Sequence, residues 1–145
     1  MFKQFEYFSS IIEDVEGIKA IYRISGLAQL EEVLGNIRDL KTPCIVVKDS
    51  GDGFLNLRDR RFDSGYHHLY VFDKAKVADD ESRLQAKRTS FALGVALFDR
   101  MKDDAVDFGD VAFGLDDTRI DYAEIGPLAD ECYGYSFGYT ISNEF

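Results

Sequence analysis

The chain has 145 residues and a mass of 16.5 kDa, which is room for one domain with its own core and not for two. Hydrophobic residues make up 46%, which excludes global disorder, and 27 acidic against 17 basic residues leave a net charge of −10. That balance excludes a surface built to embrace nucleic acid or an anionic membrane, and no run approaches the roughly 18 apolar residues that a membrane-spanning helix needs.

Phe2, Phe5, Phe8, Ile11, Ile12 and Val15 recur at spacings of three and four, which predicts an amphipathic helix ended by Gly17. No basic region followed by an apolar run opens the chain at Met1–Ser10, so no secretory signal is expected there. Ile18, Ala20, Tyr22 and Ile24 alternate as a short strand would. Ser25 offers an N-cap to a second helical stripe, Leu27, Leu30, Val33, Leu34, Ile37 and Leu40, closed by Pro43.

Cys44 to Lys48 is a short apolar, β-branched run and reads as a strand. Asp49 to Gly53 reads as a turn. Its spacing fails that of a calcium loop, because Gly51 and Gly53 occupy two ligand positions. Phe54, Leu55 and Leu57 read as a weak edge strand, Arg58 to Arg61 as a charged tip, and Asp63 to Gly65 as another turn. Tyr66 to Phe72 is a strand. Its adjacent His67 and His68 point to opposite faces, one packed and one in solvent, and cannot share a metal.

Asp79, Asp80, Glu81 and Ser82 cap a long helix from about Asp80 to Lys102, with Ala92, Gly94 and Ala96 as its small residues. Asp103 to Asp110 reads as an acidic connector containing Asp103, Asp104 and Asp107. Val111 to Leu115 and Thr118 to Ile125 read as strands, the second broken by Pro127. The last strand alternates for ten residues. Tyr133, Tyr135, Phe137, Tyr139 and Ile141 share one face, and Cys132, Gly134, Ser136, Gly138 and Thr140 share the other. The small face invites the helix with Ala92, Gly94 and Ala96. The aromatic face is then a second core side or a subunit interface.

This order predicts one α+β domain, a mostly antiparallel sheet packed by a long helix, with helices at its N-terminal end. Cys44 and Cys132 lie 88 positions apart in apolar stretches, outside any metal-binding or redox motif, as expected of buried thiols in a reducing compartment. No nucleophile elbow, phosphate loop or metal-ligand set appears, so neither an enzyme, a cofactor nor a metal is expected.

Charge is uneven. Residues 99 to 131 carry 11 acids and 3 bases, while Arg58, Arg60 and Arg61 form a compact basic tip. The tip and the acidic connector are complementary, and either could contact another copy head to tail.

The order of elements resembles the phage and prophage tail-terminator and head–tail joining proteins. An N-terminal helix leads to the strand Cys44-Ile45-Val46-Val47, a charged hairpin over Lys48 to Arg61, the strand Tyr66 to Phe72, the helix Ser82 to Met101, and the closing strands Arg119 to Ile125 and Cys132 to Ile141. The resemblance implies a structural ring, six-membered in that family, that caps the tail tube and joins it to other tail or connector proteins. Its interface would use Arg58, Arg60, Arg61, Asp103, Asp104 and Asp107, together with Tyr133, Tyr135, Phe137 and Tyr139 if the aromatic face is exposed. It would act in the cytoplasm of a bacterial host or in the virion, without sequence-specific contact to nucleic acid and away from membranes. The alternative from composition is an acidic interaction module, an adaptor or immunity-like protein that binds a basic partner.

Overall fold

The computed structural model describes residues 2–25, 30–48, 51–76, 78–129 and 131–144. The elements run in chain order α1 (Gln4–Ile11), with a 3-10 turn at Ile12–Asp14, β1 (Ala20–Ile24), α2 (Leu30–Asn36), β2 (Cys44–Lys48), β3 (Asp52–Asn56), β4 (Phe62–Lys74), α3 (Asp80–Ala105), β5 (Asp121–Leu128) and β6 (Cys132–Glu144). The fold is α+β. Six strands form one sheet in the order β1-β2-β4-β6-β5, with β3 also paired to β4. Every pair is antiparallel except β1 with β2, which α2 connects as a crossover.

The run Cys-Ile-Val-Val is apolar throughout because β2 is covered on both faces. Ile45 and Val47 join the larger core with Phe8, Ile11, Leu69, Val71, Leu97, Met101, Phe137 and Tyr139, under α1 and α3. Cys44 and Val46 join a smaller core on the other face, with Ile24, Tyr70, Phe72, Cys132 and the α2 residues Leu30 and Leu34. Both thiols are buried and free. They sit on β2 and β6, with β4 between them.

The long helix begins as its sequence predicts. The Asp79 carboxylate accepts hydrogen bonds from the Glu81 and Ser82 backbone N–H groups at 3.0 and 3.3 Å. It runs on to Ala105, so Asp103 and Asp104 belong to its last turn and not to a connector.

Several expectations are corrected. Asp52 and Gly53 belong to β3, not to a turn, while Asp49 and Ser50 lie outside the described residues. β2 pairs with Leu69–Phe72 of β4 and β3 with Phe62–Tyr66. The other edge of β4 is taken by β6 over its full length, so β2 and β3 follow one another along a single edge. Asp63, Ser64 and Gly65 are strand residues too. The Ser64 and Ser142 hydroxyls are 2.9 Å apart across β4 and β6, and a Cβ on Gly65 would lie 2.7 Å from His67 Nε2. Turn-forming residue types are used here for side-chain space.

Val111–Leu115 is a series of turns in which only Leu115 bridges, to Ile141. The Asp107 carboxylate accepts from Gly109 N and that of Asp110 from Ala112 N, at 3.0 and 2.9 Å, and these local bonds compete with a ladder. Pro127 does not end β5 but shifts its register between Ile125 and Leu128. The second helix is shorter than its stripe, ending at Gly35-Asn36, residue types that favour helix termination. Residues 26–29, on which its predicted start falls, lie outside the described residues. Finally, α3 packs on the aromatic face of β6 and not on the small one.

Candidate assembly surface

β3 and the start of β4 form a hairpin that projects beyond the part of the sheet lined by β1 and β2. Phe54, Leu55 and Leu57 are 62, 60 and 59% exposed, whereas Ile45, Val46 and Val47 of β2 and Leu69 and Val71 of β4 are fully buried. Phe54 meets the Phe62 ring edge-on at 6.0 Å and is otherwise largely open to solvent. At the tip the Asn56 side-chain oxygen accepts from Arg58 N at 3.1 Å and turns the chain. Arg58, Arg60 and Arg61 are all exposed there, and Arg60 pairs with Glu144 at the end of β6.

Native sheets protect their free edges with charge, proline or bulges. β5 carries Asp121, Glu124, Pro127 and a register shift. β1 carries Arg23, whose guanidinium lies 4.3 Å from the centre of the Phe5 ring. β3 carries only Asp52 at one end and has no strand on its outer side among the described residues. It is the least protected edge, and its apolar side chains are the more exposed, since those of β1 are buried or half-buried.

The acidic residues fall at the far end of α3. Asp103 and Asp107 are exposed. Asp104 accepts from the Tyr7 hydroxyl at 2.7 Å and from Arg100 Nη1 at 2.5 Å, and Arg100 Nη2 also reaches Asp14 at 3.2 Å. Partial burial pushes the Asp104 carboxyl up, but the Arg100 and Tyr7 hydrogen bonds outweigh it and hold the group below the usual carboxylate range. The Tyr7 hydroxyl is driven far up, first by burial and then by Asp104.

Here α1, the end of α3, the turns at 106–114 and the ends of β4 and β6 enclose an open cleft of about 1210 Å³. Arg60, Phe62, Tyr7, Asp104, Phe108 and Phe113 all line it. Arg60 and Asp104, predicted to meet across an interface, therefore sit on one cleft of one chain, each already paired within it.

The predicted aromatic face divides. Tyr133, Phe137 and Tyr139 are buried beneath the helices, and Tyr135 is half-buried between Phe91, Tyr122 and Phe137. For these residues the core alternative is the one realised. His67 is buried and His68 exposed, on opposite faces as their adjacency required.

What the sequence reading missed is the exposure of Phe54, Leu55 and Leu57 as a group. The signal was present in an apolar run pressed directly against four charged residues. The chain matches no protein-family model and no curated protein. The geometry of the hairpin is accordingly the main guide to function.

Proposed function

We propose that this chain is a non-enzymatic assembly subunit of the kind it resembles, a phage tail-terminator or head–tail joining protein that forms a ring and caps the tail tube. The observation that carries the reading is the β3–β4 hairpin. An unprotected strand edge bearing Phe54, Leu55 and Leu57 costs solubility unless another chain covers it. The basic tip beside it offers orientation, and the net charge of −10 suits a channel through which DNA slides without sticking. Its partners are further copies and other tail or connector proteins, in the virion or the cytoplasm of a bacterial host.

Light scattering on a sizing column, at high protein concentration and moderate salt, tests it. A closed six-membered ring has a mass of about 99 kDa. A mass fixed at one subunit, with the hairpin apolar residues replaced by serine making no difference to solubility, would sink the reading.

A second reading has one observation in its favour. The acidic stretch from Asp103 to Asp117 runs beside exposed Val106, Phe108 and Val111, a surface suited to a basic protein with apolar anchors. A monomer that captures such a partner, and releases it when Asp103 and Asp107 are changed to Asn, would favour that adaptor or immunity-like role.

A further inference from the structure

We infer that the outer edge of β3 pairs with the outer edge of β5 in a second copy, so that the sheet continues from subunit to subunit. This rests on the assembly reading and assigns its contact. Strand direction comes first. β3 is antiparallel to β4, β4 to β6 and β6 to β5, so β3 of a copy placed in the same orientation meets β5 antiparallel, the pairing that needs no crossover.

Side chains come next. Pairing Phe54 with Ala123 keeps the two faces of the sheet continuous. It sets Leu55 opposite Tyr122, which are 60 and 62% exposed and on the helix-covered side. Asn56 then faces Asp121, and Arg58 faces Arg119 but lies one diagonal step from Asp121, within reach of a long side chain, so the carboxylate offsets the like charges. Asp121 already holds Arg119 at 2.9 Å and would sit between two guanidinium groups. Asp121, one of the two acidic residues that protect the β5 edge, is thus the group that meets the basic tip flanking β3.

The offset between the two edges decides whether such a chain of contacts closes. Phe54 lies level with Ser64 and Ser142, whereas Ala123 lies level with Ser136, six residues away along β6. Six residues rise about 20 Å, and the four strand spacings from one β3 to the next span about 19 Å. The strands then tilt about 45° to the assembly axis, at the upper end of the 35–45° at which sheets close on themselves. The contact is heterologous and favours a ring over a flat fibre.

Cysteine cross-linking tests the contact. Phe54→Cys and Ala123→Cys are made in separate chains. Both positions are exposed, so neither change threatens the fold. The native thiols stay silent, since Cys44 and Cys132 are buried and burial pushes the Cys44 thiol up to about 12. Under mild oxidation the mixture should form a disulfide-linked dimer, and neither variant alone should. The double variant should form a ladder that ends at the ring.

A dimer of Phe54→Cys with itself would mean that two β3 edges pair with each other, and would overturn the proposal. Wild-type rings with no cross-link in the mixture would overturn this contact and leave the assembly reading standing. Subunits that neither associate nor cross-link would remove both.

Discussion

Gly94 of α3 lies so close to the Phe137 ring of β6 that a Cβ on it would stand 2.3 Å from the ring carbons. The helix reaches the sheet at this point only because residue 94 has no side chain. Phe137 is in turn ringed by Phe91 and Phe98 of the same helix and by Tyr135 of its own strand, at centroid distances of 6.0, 5.7 and 6.3 Å. Gly94→Ala should therefore destabilise the fold by about 1–3 kcal/mol through overpacking. Phe137→Leu should recover part of that loss in the double variant. Urea denaturation of the three proteins checks it, and a strictly additive double variant would show that the two residues do not compete for space.

A different kind of core contact holds α1 to the sheet. Gln4 is fully buried. Its side-chain nitrogen donates to the Lys48 carbonyl at 2.7 Å, and its side-chain oxygen accepts from the Tyr139 hydroxyl at 2.6 Å. Gln4→Leu strands a buried hydroxyl and a partly buried carbonyl together, and should cost about 2–4 kcal/mol. Tyr139→Phe leaves only the Gln4 oxygen short and should cost about 1–2 kcal/mol. A Gln4→Leu loss no larger than that of Tyr139→Phe would mean that the Lys48 contact adds nothing.

These two contacts show what the sequence could and could not convey. Period and length placed β6, β4, β2 and α3, because burial on one or both faces imposes a pattern on each strand or helix by itself. Partner choice leaves no such pattern. Ala92, Gly94 and Ala96 looked suited to Gly134, Ser136 and Gly138, yet Gly94 makes room for a ring on the opposite face. Asp63, Ser64 and Gly65 looked like a turn because local residue preference was read without the two flanking strands that overrule it. The basic tip at Arg58, Arg60 and Arg61 was legible as charge. The pairing of Arg60 with Glu144 was not, since 84 residues separate them.

The Tyr7, Asp104 and Arg100 contacts tie α1 to the end of α3 and make a pH-dependent join. The Asp104 carboxyl is held below its ordinary 3.8. A carboxyl lowered in the fold contributes stability above the unfolded value and loses it as pH falls through the folded one. Asp104→Asn should lose about 1–2 kcal/mol at neutral pH by weakening two charge-assisted hydrogen bonds. It should also flatten the decline in stability below about pH 4. Denaturant midpoints at pH 7 and pH 3 for both proteins measure this. An equal loss at both values would mean that the carboxylate charge plays no part.

His67 gives a second and higher pH window. Its ring is 2% exposed, lies 5.5 and 5.6 Å from the Phe2 and Tyr139 rings, and leaves Nδ1 without a hydrogen-bond partner among the described residues. Burial drives its pKa below the ordinary 6.5, against a smaller upward pull from Asp63 and with a small downward push from His68. The unfolded chain thus takes up this proton first as pH falls. The stability linked to His67 is complete above about pH 6.5 and declines as pH drops from there toward the folded value. His68 shifts the same way, first by partial desolvation and then by Lys48, so it needs its own control. Denaturant midpoints between pH 7.5 and 5 should fall for the wild type and for His68→Gln, and fall less steeply for His67→Phe, which keeps only the smaller slope linked to His68. If His68→Gln removes the slope and His67→Phe keeps it, the exposed histidine is the group that titrates, and the buried ring at the root of the hairpin is not.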